Sequence, residues 1–270
     1  MKFLKTKKKH YQQSVKKFYR IVLPVLFLFS IKLVFPQNNK SIILLLTGKY
    51  QPEKSADAIR IETRYAIKEN IYLNKEAYLH FSAMAEAAKK DEIDLYILSG
   101  IRTFNQQKTI WENKFNGNTF VNKTNLKKNV PDELERSKII LNYSSMPGTS
   151  RHHWGTDIDI SFSRHGLSSM LDNKTYGEGE GLKVYNWLKE NAATYGFCQP
   201  YKESPARRNQ KYTNGYLEEK WHWSYKPLAK KYLLEYEKHI EILKPDNFTG
   251  STAIQNIYSA YIFNIHKDCL

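Results

Sequence analysis

Apolar and polar residues recur with two different periods along the chain, and each period predicts one kind of element. In residues 74–90, Ala77, Phe81, Met84 and Ala88 fall on one stripe, which is typical of an amphipathic helix. Further helices are predicted over 103–115, 132–142, 181–195 and 228–243, and strands over 93–98, 157–160 and 220–225. These elements do not follow a regular strand–helix–strand repeat, so the pattern favours an α+β fold.

The first 40 residues carry a different pattern from the rest of the chain. A lysine-rich stretch over residues 2–20 precedes an apolar run over residues 21–31, which is the arrangement of a secretory signal. The run is shorter than the roughly 20 apolar residues of a spanning helix. With residues 32–35 included it is longer, so an uncleaved membrane anchor stays an alternative. We therefore predict a signal peptide or N-terminal membrane anchor over 1–40. The positive-inside rule then places the rest of the chain outside the cytoplasm, so we expect an exported protein, periplasmic or membrane-anchored.

The net charge of +15 is distributed unevenly. Nine positive charges and no acidic residue lie in residues 1–36, which leaves a net charge of +6 on the remainder. A moderately basic remainder suits an anionic polymer or a substrate carboxylate, and we expect no nucleic-acid partner. The apolar fraction of 41% is enough to build a core and excludes a mainly disordered chain. We expect the protein to be monomeric.

Two further features concern the C-terminal half. The chain has two cysteines, Cys198 and Cys269, which form no disulfide framework and no paired-thiolate metal motif. A single bridge between them is open in an oxidising compartment, but we favour two unrelated thiols. Residues 246–270 lack a clear pattern, so we predict a C-terminal tail there, following a folded domain over 41–245.

Candidate chemistry is concentrated in three segments, residues 99–107, 147–160 and 219–225. A catalytic zinc ion needs three nitrogen or oxygen ligands from the protein and one open position. A histidine and a carboxylate from the second segment and a histidine from the third would supply these ligands, and a nearby glutamate could accept a proton from water. Each segment alone is weak, because a single histidine in an aromatic strand more often packs than binds metal. The hypothesis depends on their joint occurrence.

The three segments resemble the signature of the VanY-like D-alanyl-D-alanine carboxypeptidases and the related dipeptidases. The family pattern reads Ser-x-Tyr-Arg-Ser-x-x-x-Gln, then Ser-x-His-x-x-Gly-x-Ala-x-Asp, then Glu-x-Trp-His, and this chain follows it in order and spacing over roughly residues 46–243. The resemblance implies a single α+β domain in which helices flank a small, mainly antiparallel sheet, as in Hedgehog-type domains.

The resemblance also implies the metal site. One zinc ion per chain is bound by His152, Asp159 and His222, and Glu219 is the catalytic base. His153, next to a ligand, is interpreted as an orienting or packing residue.

Other positions of the signature are implied to contact the substrate. Arg102 stabilises the oxyanion or holds the substrate carboxylate, and the sequence does not distinguish these roles. Gln107 and Ser150 are implied to bind substrate. Arg207-Arg208 offer further cations for a free terminal carboxylate.

Three departures from the family's usual residues bear on the site. Ile101 replaces the usual Tyr, Arg151 stands where Glu is common, and Asp157 occupies the usual Ala position. Asp157 shares a strand face with Asp159 and is therefore a rival ligand, although the spacing favours Asp159. Because Glu219 and the following histidine would point to opposite faces of a regular strand, we expect an irregular turn at 219–221.

The function implied is zinc-dependent hydrolysis of peptidoglycan stem peptides, with release of the terminal D-Ala. An endopeptidase for crosslinks and a D-Ala-D-Ala dipeptidase stay open as alternatives. From a different class, the alternative is a zinc-containing protein that binds the cell wall without hydrolysing it.

Overall fold

The computed structural model describes residues 39–165, 169–208 and 211–270. The predicted signal or anchor lies outside the described residues, except at its last two positions. Within the described ranges, no helix is both long and apolar enough to cross a membrane.

Among the described residues, the strands form one four-stranded sheet and one antiparallel pair. They are β1 (Ala58–Arg60), β2 (Tyr72–Asn74), β3 (Tyr96–Ser99), β4 (Asp157–Ser161), β5 (Phe197–Cys198) and β6 (His222–Tyr225). The sheet has the order β3-β4-β6-β5, with every neighbouring pair antiparallel, and β1 pairs with β2. The small antiparallel sheet expected from the sequence is therefore present.

Helices surround this sheet. They are α1 (Asn39–Leu46), α2 (Lys75–Lys90), α3 (Phe104–Phe115), α4 (Leu126–Asn129), α5 (Glu133–Leu141), α6 (Gly179–Asn191), α7 (Pro205–Arg208), α8 (Lys226–Lys238) and α9 (Tyr258–Phe263). Side chains cap three of the predicted helices: Asn74 begins α2, Thr103 begins α3 in a capping box, and Asp132 begins α5. Such caps satisfy backbone N–H groups that have no partner inside the helix.

The core consists of two apolar clusters. The first packs α2 and α6 against the sheet, and the stripe predicted on α2 lies there, with Phe81 and Met84 fully buried. The second joins α1, α3, α5 and α8 to residues near the C-terminus. Burial of apolar surface of this kind contributes roughly 25 cal/mol per Å² to folding.

The structure corrects the prediction of a C-terminal tail. Residues 246–270 belong to the same compact unit as the rest of Lys40–Leu270, and Phe248, Ile254 and Ile262 are buried in the second cluster. Their apolar residues serve as core, but they lie in short turns and in a six-residue helix, too short to show a clear period.

The preference for two unrelated thiols was also wrong. Cys198 in β5 forms a disulfide with Cys269, and both residues are buried. The bridge ties the end of the chain to the edge of the sheet.

Candidate metal centre and active site

Backbone geometry brings the three predicted ligands together. Asp159 in β4 lies opposite His222 in β6 in the antiparallel register. His152 lies in a 3-10 turn, Arg151–Trp154, which ends at Gly155. Gly155 has a φ of 71°, in the left-handed region that a glycine adopts without a Cβ clash, and this conformation turns the chain into β4.

The ligand atoms converge on one point. His152 Nε2 and His222 Nδ1 each lie 3.4 Å from Asp159 Oδ1, and one donor atom from each of the three residues falls within 4.8 Å of the others. Among the described residues, His152 Nε2 and Asp159 Oδ1 are buried without a hydrogen-bond partner. Unpaired buried polar atoms are costly, and two imidazoles with one carboxylate match a catalytic zinc site. The residues present therefore fit a zinc ion.

The other ring nitrogens of the two histidines are held by oxygen acceptors. His152 Nδ1 lies 2.8 Å from the carbonyl oxygen of Gly100, and His222 Nε2 lies 2.9 Å from Asp157 Oδ1. A carbonyl or ionised carboxylate can only accept, so in each ring this nitrogen carries the hydrogen. When the ring is neutral, the opposite nitrogen offers its lone pair to a metal.

Asp157, the rival ligand, has both oxygens occupied by other groups. Its Oδ1 accepts from Arg151 and His222, and its Oδ2 accepts from Thr156 and Ser224. Burial would raise the pKa of this carboxyl, but the Arg151 guanidinium and the His222 ring hold the pKa well below its usual range. Asp157 is thus an ionised carboxylate behind His222, whereas Asp159 faces both imidazoles.

His153 faces away from this cluster. Its Nδ1 donates to the carbonyl oxygen of Arg102 at 2.6 Å, and its Nε2 accepts from the Gly148 N–H at 3.0 Å. Burial lowers the pKa of His153 to about 3, so the ring is neutral with both nitrogens used. This geometry matches the predicted packing role.

Arg102 lies at the side of the ligand cluster. Its Nη2 donates to Asp159 Oδ2 at 3.2 Å and its Nη1 donates to Gln107 Oε1 at 3.0 Å. Gln107 is fully buried and donates in turn to the carbonyl oxygen of Ser145. Both ends of the Gln107 amide are therefore engaged within the protein, and its contact in the structure is with Arg102.

Glu219 lies at the opening of the site. The residues before β6 form the expected turn, in which the His222 N–H donates to the Glu219 carbonyl oxygen. The carboxylate oxygen Oε2 of Glu219 lies 3.1 Å from His222 Nδ1, and the Glu219 side chain is 17% exposed. The turn at 219–221 is thus confirmed, and it brings Glu219 to the same side of the chain as His222.

Ser150 precedes the turn that carries His152, and a pair of tyrosines lies next to His222. Ser150 is fully buried, and its hydroxyl has no hydrogen-bond partner among the described residues. The Tyr201 ring lies 4.9 Å from His222 and 5.0 Å from Tyr216, so the two tyrosines continue the wall beyond the ligands. Neither tyrosine is among the site residues that the sequence predicted.

Two cations, Arg208 and Lys114, lie close enough to Glu219 to interact with its carboxylate electrostatically. Arg208 is buried, donates to the carbonyl oxygens of Lys202 and Glu203, and has Arg207 exposed beside it. Lys114 on α3, which the sequence analysis missed, donates to Ser144 Oγ at 2.5 Å. Gln107 and Lys114 are seven residues apart, two helical turns on one face, a relation that could have been found by projecting α3 from Gln107.

Comparison with known proteins places the chain in a family. The model of the VanY family, described as D-alanyl-D-alanine carboxypeptidase, matches residues 70–228. YodJ of Bacillus subtilis (strain 168), a protein named as a carboxypeptidase, is 29% identical over 70% of this chain and 61% of its own length. A D-alanyl-D-alanine carboxypeptidase of Enterococcus faecium is 22% identical over 84% of this chain and 66% of its own length. The chain thus spans less than two thirds of both relatives.

The solved structures that this chain matches include two peptidases. One is the LdcB LD-carboxypeptidase, with a TM-score of 0.48 and 22% identity over 78% of this chain and 81% of that one. Another is a VanY D,D-pentapeptidase variant in complex with Zn(II), with a TM-score of 0.41 and 21% identity over 64% of this chain and 88% of that one. Because the family model covers more than half of its 270 residues, the chain belongs to the VanY family of D-alanyl-D-alanine carboxypeptidases.

Proposed function

We propose that this protein is an exported zinc peptidase that removes the terminal D-Ala from peptidoglycan stem peptides. The observation that carries the proposal is the buried cluster of His152, Asp159 and His222, with partly exposed Glu219 and Arg102 beside it. Within this cluster, His152 Nε2 and Asp159 Oδ1 have no hydrogen-bond partner among the described residues. A site built only to bind the wall would not need a carboxylate positioned as a base, so this arrangement favours hydrolysis.

The residues divide the work of hydrolysis among them. When bound by the three ligands, one zinc ion per chain supplies Lewis-acid polarisation and makes water easier to deprotonate. The Glu219 carboxylate accepts the proton of the attacking water and delivers it to the leaving amine nitrogen. Its distance of 3.1 Å from a ligand nitrogen keeps it within reach of a reacting group beside the ligands.

Arg102 supplies positive charge where negative charge develops. Its guanidinium is fixed by Asp159 on one side and Gln107 on the other, so it is oriented before the substrate arrives, which is the condition for strong transition-state stabilisation. Gln107 acts by positioning Arg102 rather than by touching substrate.

Lys114 suits recognition of a free terminal carboxylate. Burial lowers its pKa to about 8, and the charges of Arg102 and Glu219 also act on it, so the amine lies within the electrostatic reach of the active site. A carboxypeptidase needs a cation for the substrate's terminal carboxylate, whereas an endopeptidase does not. If Lys114 has this role, it favours carboxypeptidase activity over crosslink cleavage.

Two features support an extracytoplasmic location. The basic segment and apolar run of residues 1–40 have the pattern of a secretory signal. The Cys198–Cys269 disulfide is of a kind that persists in oxidising compartments and is rare in the cytosol.

The proposal is tested by incubating the purified protein with a pentapeptide stem, free D-Ala-D-Ala and crosslinked muropeptides, and identifying products by mass. We expect release of D-Ala from the pentapeptide, its loss after chelation and its return with zinc. Cleavage of the free dipeptide alone would indicate a dipeptidase, cleavage of crosslinks alone an endopeptidase, and no cleavage of any substrate would contradict the proposal.

A further inference from the structure

Behind the three ligands lies a second set of three polar residues in the same three segments: Arg151, Asp157 and Ser224. Each is one or two positions from a ligand in the sequence. Arg151 is adjacent to His152, Asp157 lies two positions before Asp159, and Ser224 lies two positions after His222. All members of the second set are buried, with at most 1% exposure. The two sets thus run side by side through the same backbone segments.

Hydrogen bonds link the second set into a closed network. Arg151 donates from Nε to Asp157 Oδ1 at 2.9 Å and from Nη2 to Ser224 Oγ at 2.7 Å. Ser224 Oγ donates to Asp157 Oδ2 at 2.9 Å, and these two residues are also partners in the β4–β6 register. The network therefore joins the 3-10 turn to both strands that carry ligands.

A buried ion pair is an expensive way to join three segments. The free energy needed to remove a guanidinium and a carboxylate from water is often larger than the free energy gained from their attraction. A protein in which apolar residues of similar size replace such a pair is commonly as stable as the original or more stable. The Arg151–Asp157 pair is accordingly poorly explained as a stabilising contact alone. Its distinguishing contact is with a ligand, through Asp157 Oδ1 and His222 Nε2 at 2.9 Å.

We infer that the Arg151–Asp157 pair is a positioning device for the metal centre: Asp157 fixes the tautomer and the ring orientation of His222, and Arg151 holds Asp157 in place. The inference rests on the proposed zinc site. An ionised carboxylate accepts the Nε2–H of His222 and leaves Nδ1 directed at the shared point with Asp159. The same pair explains two departures from the family pattern together, because arginine at 151 and aspartate at 157 satisfy each other.

The test measures zinc affinity, by competition with a chelator, on metal-free protein and on variants. Loss of a carboxylate that orients a ligand histidine typically weakens metal binding about 10–100-fold, and we expect this for Asp157→Ala. Arg151→Met leaves Asp157 buried without its cation, so it should lower both the melting temperature and the zinc affinity.

The double variant Arg151→Met/Asp157→Ala separates folding from metal binding. Removing both charges together should restore much of the melting temperature of the metal-free protein, while zinc affinity stays about 10–100-fold below that of the wild type. Met84→Ala, a truncation in the first apolar cluster, is the matched control: it should lower the melting temperature and leave zinc affinity unchanged.

The possible outcomes distinguish failure of this inference from failure of the proposed function. Wild-type zinc affinity in the double variant would overturn the inference and leave the proposed function intact. An equal loss of affinity in Met84→Ala would also overturn it, since weakened binding would then follow from instability. Failure of the wild type itself to bind zinc would overturn both the inference and the proposed metal chemistry.

Discussion

The two sides of the active site differ in burial and in how the chain builds them. The ligand side, formed by His152, Asp159 and His222, has side chains 2–4% exposed, whereas the rim, formed by Arg102 and Glu219, is 22% and 17% exposed. Strand register and a glycine-ended turn fix the ligand side, while the rim residues come from the loops after β3 and before β6. Metal binding and turnover should therefore respond to different substitutions.

The largest expected effect is on the ligand side. His152→Ala removes a ligand and should abolish both zinc binding and hydrolysis. His153→Ala, the adjacent matched control, should retain about one zinc per chain, because both of its ring nitrogens are bonded to backbone groups. Metal analysis of the two purified variants is the measurement. Loss of metal in both variants would show that the neighbouring residue belongs to the site.

The next effect separates the rim from the ligand side. Glu219→Gln keeps the size of the side chain but removes the base, so kcat should fall by about two to four orders of magnitude. Zinc content should stay at the wild-type level, because the ligand set is intact. Steady-state kinetics and metal analysis of the same sample measure both quantities. Undiminished kcat would exclude Glu219 as the proton acceptor.

A third effect concerns the segment that supports the loop carrying Tyr201 and Tyr216. The C-terminal segment holds the loop that bears the two tyrosines: the His266 N–H donates to the Pro200 carbonyl oxygen, and the Asn264 amide donates to the carbonyl oxygens of three residues between 205 and 214. The Cys198–Cys269 disulfide closes this region with a sequence separation of 71 residues. Cys198→Ser/Cys269→Ser should therefore lower the free energy of unfolding by about 2–5 kcal/mol.

The same double variant sharpens the comparison between the two sides. We expect KM to rise, because the loop carrying Tyr201 and Tyr216 loses its anchor, while zinc affinity stays unchanged. Denaturant unfolding, kinetics and chelator competition measure the three quantities. A change in zinc affinity with an unchanged KM would show that the C-terminal segment supports the ligand side rather than substrate binding.

The sequence predicted a region well where the evidence was local in the chain, and poorly where it depended on contacts between distant residues. The helix over 74–90 and the strand over 157–160 have local periods, and the three segments have fixed spacings, so elements and site candidates could be found in the sequence itself. The packing of the turn that contains Ile254 against α5 could not, because these contacts join residues more than 100 positions apart without a period. The role of Asp157 required knowing which ring nitrogen it faces.

The smallest predicted effect is electrostatic and lies at the rim. Lys114 is charged below a pH of about 8 and neutral above it, because burial lowers its pKa from 10.5 to that value. If it binds the substrate carboxylate, KM should be constant below about pH 8 and rise as the pH increases through that value. Lys114→Met should raise KM about tenfold at neutral pH, as loss of roughly 1.5 kcal/mol of a charge-assisted contact implies, and should abolish this pH dependence.

A stability measurement on the same variant checks the pKa independently of substrate. The folded-state pKa of Lys114 is below the unfolded value, so between about pH 8 and 10.5 the unfolded chain holds a proton that the folded protein has released. Stability contributed by this group therefore rises with pH across that window, and the rise should be missing in Lys114→Met. A KM that stays flat in the wild type while the stability difference appears would leave Lys114 as a buried amine with no part in carboxylate recognition. Recognition of the terminal carboxylate would then depend on Arg102, whose guanidinium lies beside the ligand cluster.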